Sequence, residues 1–185
     1  MNNLAKTGDP RNVLRTAMKH TLILSLIFAA GLASAADTTI TLSGVHNCCK
    51  SCTTGITKAG TSVKDVTVTA EGGTVKVTAK SKAAAKKAVE AINAAGYFGT
   101  SDSDEKSASA GTAKAGKKLT SATVSGAHLC CGKCVKAMAE AVKSVAGVTE
   151  SNIVAKESTF TVKGDFSESD LIAAMNKAGF TGEVK

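Results

Sequence analysis

The chain has 185 residues, enough for one ordinary domain or two very small ones, and a formal net charge of +8. Beyond residue 36 every basic residue is Lys and the charge falls to +5, because the leading stretch carries Lys6, Asp9, Arg11, Arg15 and Lys19. With no Arg, no Trp and only Tyr97 and four Phe, that remainder lacks the guanidinium forks and stacking rings that nucleic-acid binders rely on, so its charge serves solubility and steering.

Residues 1–36 read as a secretory signal peptide. Basic residues precede the apolar run Thr21 to Leu32, and Ala33-Ser34-Ala35-Ala36 supplies the small residues of a cleavage site, placed after Ala35 or Ala36. The run is too short for a permanent membrane-spanning helix. Met18-Lys19-His20 would open a compact signal by itself, so both Met1 and Met18 are candidate starts. The expectation is a secreted or periplasmic protein without a permanent membrane anchor.

The next segment, 37–100, opens on a short strand in which Ile40 and Leu42 alternate with Thr, followed by the cysteine loop His46 to Cys52. Cys52 to about Gly60 reads as a weak helix, further weakened by Gly55. Val66-Thr67-Val68 and Val75-Lys76-Val77 alternate around Glu71-Gly72-Gly73-Thr74, a hairpin signal. Ala83 to Ala95 carries Val89 and Ile92 on one stripe and stops at Gly96, and a last short strand follows Tyr97.

Residues 101–116, rich in Ser, Ala, Gly, Lys and Asp, read as a flexible linker. Segment 117–185 then repeats the first. Ser43-Gly44-Val45-His46-Asn47-Cys48-Cys49-Lys50-Ser51-Cys52 matches Ser125-Gly126-Ala127-His128-Leu129-Cys130-Cys131-Gly132-Lys133-Cys134, and Val89, Ile92, Asn93, Gly96 and Tyr97 match Ile172, Met175, Asn176, Gly179 and Phe180. Val135, Met138, Val142 and Val145 stripe its first helix, Phe160, Val162 and Ile153 supply its hairpin, and Ser167 with Asp170 resembles a capping box opening its second helix. The order strand, helix, strand, strand, helix, strand predicts an α+β chain of two ferredoxin-like βαββαβ domains, each an antiparallel sheet with two helices on one face. The second is expected to be the more stable, having Val, Met and Ala where the first has Gly55 and Thr.

All six cysteines, and both histidines beyond residue 36, fall in two seven-residue windows. Framework disulfides are spread along a chain to close loops; these would close almost none. Cys-x-x-Cys at a helix start favours thiolate, because free amides and the positive end of the helix dipole face it, and thiolate is the form that binds metal. A disulfide such as Cys49–Cys52 in an oxidising compartment is the bland alternative.

A ferredoxin-like unit with Cys-x-x-Cys between its first strand and first helix resembles the heavy-metal-associated domain family, which includes copper chaperones, modules of copper-transporting ATPases and the periplasmic mercuric-ion binding protein. Cys49-Lys50-Ser51-Cys52, Cys131-Gly132-Lys133-Cys134, Ala95-Gly96-Tyr97 and Ala178-Gly179-Phe180 carry the resemblance. It implies a non-enzymatic protein that sequesters or relays one soft metal ion per domain, Cu(I), Hg(II) or Zn(II), with a membrane metal transporter or another metal-binding domain as partner. Cys49, Cys52, Cys131 and Cys134 are the ligand pairs it implies. The sequence departs from the family at Asn47 and Leu129, where many members have Met, and in the additional Cys48, Cys130, His46 and His128, which are further candidate ligands. Adjacent cysteines in extended backbone point opposite ways, so Cys48 joins Cys49 on one ion only if the loop turns sharply. Independent loading and a shared ion both fit the spacing. A thiol-disulfide oxidoreductase and an interaction domain with a structural metal are the competing functions.

Overall fold

The computed structural model describes residues 37–103 and 117–185; the expected signal peptide and residues 104–116 of the expected linker lie outside them. In the first half, β1 (Thr38–Ser43), α1 (Lys50–Thr61), β2 (Val66–Glu71), β3 (Thr74–Ala79), α2 (Lys82–Ala94) and β4 (Thr100–Ser101) follow one another. In the second come β5 (Lys118–Ser125), α3 (Gly132–Lys143), β6 (Val148–Ser151), β7 (Thr159–Ser167), α4 (Glu168–Lys177) and β8 (Glu183–Val184). Each half is a four-stranded antiparallel sheet, ordered β2-β3-β1-β4 and β6-β7-β5-β8, the ferredoxin-like α+β arrangement.

Strand alternation decides which face is covered. Ile40, Leu42, Val68, Val75, Val77 and Ala79 are buried while the residues between them are more exposed, so each strand turns one face to the core and one toward solvent. The helices supply the other side: Cys52, Ile56 and Gly60 on α1, and Ala85, Ala88, Val89 and Ile92 on α2. On α3 the buried stripe is Cys134, Met138 and Val142, spaced by four; Val135, expected on it, is only half-buried because the cysteine holds the inward position. Met138 and Met175 are fully buried core residues.

Three expectations change in detail. α2 starts earlier than Ala83 because Ser81 accepts a hydrogen bond from the Ala84 amide, as Ser167 does from Asp170 at the start of α4. Ile153 lies beyond β6, in the connection to β7, where it packs half-buried against the core without joining the ladder. The Thr41 amide donates to Asp102 Oδ1 at 2.8 Å, so ordered structure runs past β4 into the stretch read as linker.

Gly55, expected to weaken the first half, has a packing reason. A side chain at Gly55 would overlap the Tyr97 hydroxyl; the matching positions in the second half are Ala137 and Phe180. The larger ring is paired with the smaller helix residue.

Candidate metal centre

Each cysteine loop leaves its first strand through a glycine in the left-handed region, Gly44 at φ +79° and Gly126 at φ +80°, which turns the chain back over the sheet edge. Cys49 and Cys131 are the N-cap residues of α1 and α3, and Cys52 and Cys134 sit one turn on, fully buried. The sequence therefore places the thiols at two similar helix starts.

The two helix starts face each other. His46 N donates to Gly179 O at 3.2 Å, while Phe98 N donates to Gly179 O at 3.0 Å and Thr181 N to Gly96 O at 3.2 Å, closing an antiparallel bridge between Tyr97 and Phe180. Gly96 at φ +91° and Gly179 at φ +85° make this approach possible: a Cβ at 96 would run into the backbone of Gly126 and His128, and one at 179 into that of Gly44 and His46. Gly96, expected as a helix stop, and Gly179, its counterpart in the repeat, are also contact points between the halves.

All eight candidate ligands converge at this junction. Within a half, Cys49 and Cys52 sulfurs are 3.7 Å apart and Cys131 and Cys134 3.8 Å; all six thiols are free. Cys48 joins its own pair, 3.9 Å from Cys52, and Cys130 lies 3.6 Å from Cys134. The sharp turn needed for adjacent cysteines to cooperate is present: Cys48, Cys49 and Cys52 sulfurs all lie within 4.8 Å of one another. Across the junction, Cys52 Sγ is 3.6 Å from Cys130 and 3.8 Å from Cys134, and Cys48 Sγ is 3.7 Å from Cys134. The structure gathers both loops into one sulfur-lined site.

The histidines cross over as well. A ring nitrogen of His46 lies within 4.8 Å of the sulfurs of Cys48 and Cys134, and one of His128 within 4.8 Å of those of Cys52 and Cys130. Nε2 of each ring is buried without a hydrogen-bond partner. Such a group is costly unless something polar meets it, which fits a ligand or a thiolate at the site. Tyr97 and Phe180, fully buried, are both core residues and walls of the centre, since Phe180 stacks on His46 and Tyr97 meets His128 in a tilted contact.

The thiols are electrostatically unequal. The Cys52 and Ser51 amides at the start of α1 hold the Cys49 thiol down to about 6, and the Cys134 and Lys133 amides lower Cys131 in the same way. Burial, reinforced by neighbouring sulfurs, pushes Cys48 and Cys134 well above the ordinary thiol range and Cys130 up to about 12. Burial lowers His46 and His128, so both imidazoles are neutral at pH 7, the form that can bind metal. A Cys49 thiolate at neutral pH, a Cys131 thiol biased in the same direction, four further cysteine sulfurs and two neutral imidazoles form a soft donor set.

Residues 123–181 match the model of the heavy-metal-associated domain. Over that span the second half is similar to the heavy-metal-associated domain. Heavy-metal binding is what that domain is named for, and Cys130, Cys131, Cys134 and His128 lie inside the matched segment. No curated protein matches the chain. Among solved structures, the N-terminal soluble domains of Bacillus subtilis CopA align at 17% identity over 82% of this chain and 95% of that one, with a TM-score of 0.30. A structure of the water-soluble region of the P-type ATPase CopA from Bacillus subtilis aligns at 17% identity over 82% and 93%, with a TM-score of 0.31.

Proposed function

We propose that the protein is exported and sequesters or relays a soft heavy-metal ion, Cu(I), Hg(II) or Zn(II), through Cys49, Cys52, Cys131 and Cys134, with Cys48, Cys130, His46 and His128 completing the donor set. The observation that supports this reading is the convergence of six free thiols and two partnerless buried imidazole nitrogens on one junction. Its partner is a donor or acceptor of the same ion, such as a membrane metal transporter or another metal-binding domain. Signal cleavage after Ala35 or Ala36 delivers the chain to the periplasm or the exterior.

The low pKa of Cys49, with Cys52 3.7 Å away, also favours a thiol-disulfide exchange reading. The two are separated by anaerobic binding assays with reduced protein and each ion in turn. Metal carriage requires tight soft-metal binding, a fold that survives stripping and no turnover of a disulfide substrate. Unfolding on chelation would point to a structural metal instead. N-terminal sequencing of protein from the native compartment tests export: a chain that retains residue 1 at its N-terminus sinks it.

A further inference from the structure

We propose that the six thiols act as one cage holding a tetranuclear Cu(I)-thiolate cluster shared by both halves, in place of one ion per half. This rests on the soft-metal reading above. The sulfurs of Cys48 approach those of Cys52, Cys131 and Cys134 within 3.7–3.9 Å; those of Cys130 approach Cys49, Cys52 and Cys134 within 3.6–3.8 Å; Cys134 lies 3.8 Å from both Cys52 and Cys131, and Cys49 3.7 Å from Cys52. Cys48/Cys49, Cys49/Cys131 and Cys130/Cys131 lie within 4.8 Å. These twelve approaches, four at each sulfur, match the twelve edges of an octahedron.

An octahedron restricts what a metal finds inside it. Its faces are triangles of adjacent sulfurs. Cys48/Cys131/Cys134 has sides of 3.7, 3.8 and 3.8 Å, and Cys52/Cys130/Cys134 has sides of 3.6, 3.6 and 3.8 Å, each drawing sulfurs from both halves. The centre of such a triangle is roughly 2.1–2.3 Å from its corners, the side divided by √3, against a metal-thiolate bond of about 2.3 Å. Thiolate-loving Cu(I) is suited to these faces.

The number of ions follows from sharing. Cys48/Cys49/Cys52 and Cys49/Cys130/Cys131 complete a set of four faces with the two above, in which every sulfur belongs to two faces. Four Cu(I) ions on this set are each held by three thiolates, and each thiolate bridges two ions. The local two-fold that relates the halves exchanges this set with the other four faces, so a bound cluster breaks the equivalence of the halves. Loading releases the thiol protons and changes no oxidation state. Four positive ions within six thiolates leave a net charge of −2, small enough for the rim to carry, with Lys50 and Lys133 in the first turns of α1 and α3. Cys52 and Cys134, fully buried, close the inner edge, whereas the half-buried Cys49 and Cys131 form the outer edge, where ions enter.

The experiment is an anaerobic Cu(I) titration of the reduced full chain, followed by chelator competition, luminescence and X-ray absorption. The expected result is four Cu(I) per chain taken up cooperatively, emission from a solvent-shielded cluster, sulfur-only nearest shells and copper-copper scattering. The double variant Cys48→Ser/Cys130→Ser, checked for a native circular dichroism spectrum, keeps both Cys-x-x-Cys pairs and is expected to fall to two Cu(I) with no copper-copper scattering. Two independently bound ions in the wild type, or a single Zn(II) held in preference to Cu(I), overturn the cluster and leave soft-metal binding standing. Failure to retain any soft metal overturns both.

Discussion

The imidazole of His46 stacks on the ring of Phe180 with centroids 4.3 Å apart, and His128 makes the equivalent contact with Tyr97 at 4.4 Å. Each ring is thereby fixed by the opposite half, with its Nε2 buried without a hydrogen-bond partner and one of its nitrogens within 4.8 Å of the sulfurs. A neutral imidazole held there is placed to offset part of the charge of thiolates in the loaded site. Groups in this supporting role are worth about 10–100-fold in metal affinity. His46→Ala is expected to keep the metal stoichiometry and lose affinity by that factor in chelator competition. His46→Phe, which preserves the stack but removes the nitrogen, is expected to lose as much; wild-type affinity in His46→Phe would mean that the ring matters only for packing.

Tyr97 and Gly55 form a second matched pair. Because a Cβ at 55 would overlap the Tyr97 hydroxyl, Gly55→Ala forces the ring or α1 to shift, a cost of about 1–3 kcal/mol for overpacking that outweighs the roughly 1 kcal/mol Ala gains in helix propensity. Tyr97→Phe removes the obstructing oxygen and reproduces the second half's combination of Ala137 with Phe180. The double variant is therefore expected to be at least as stable as wild type in denaturant titration of the metal-free reduced protein. Equal destabilisation by Gly55→Ala with and without the hydroxyl would show that the overlap is not the cause.

This pair also marks how far the sequence could be read. Alternation in Ile40, Leu42, Val75 and Val77, the cap serines and the repeated loops all report local geometry, and they suffice for the element order and the eight candidate ligands. The face-to-face junction is not local. Gly96 and Gly179 carry a helix-stop signal, and the same missing Cβ that permits a positive φ also lets the opposite backbone approach. The two uses cannot be told apart along one chain. Gly55 looks like a weak helix residue until Tyr97 is seen above it, and the grouping of Cys48 with both Cys52 and Cys134 depends on the other half being there.

Gly179 permits a test of the junction itself. An Ala at φ +85° carries roughly 1–2 kcal/mol of backbone strain, and its methyl would also collide with the Gly44 and His46 backbone. Gly44, at φ +79° with nothing within 4 Å of its Cβ position, imposes the same strain without the collision. Gly179→Ala is expected to separate the halves, raising the radius of gyration in small-angle scattering and abolishing shared metal binding, while each sheet stays folded. Gly44→Ala is expected to lose a similar amount of stability and keep the junction closed. If both variants scatter alike, the junction does not depend on the approach at Gly179.

The unequal thiols predict a stability maximum in the metal-free reduced protein. Cys49 at about 6 and Cys131, also lowered, bind fewer protons in the folded chain than in the unfolded one, where thiols titrate near 9. Their contribution is therefore complete above about 9 and is lost as pH falls toward 6. Cys48, Cys134 and Cys130, the last at about 12, have the opposite sign: they stay protonated when folded, so their contribution is intact below about 9 and is lost as pH rises beyond it. Stability should climb from pH 6 to 8 and decline above 9, read from denaturant midpoints under anaerobic conditions. The same inequality sets an order of reaction at pH 7: iodoacetamide should modify Cys49 first, Cys131 next and Cys48 and Cys130 slowly, as followed by mass spectrometry. Six thiols alkylated at one rate with a common midpoint near 9 would show that the helix amides do not act on Cys49 and Cys131.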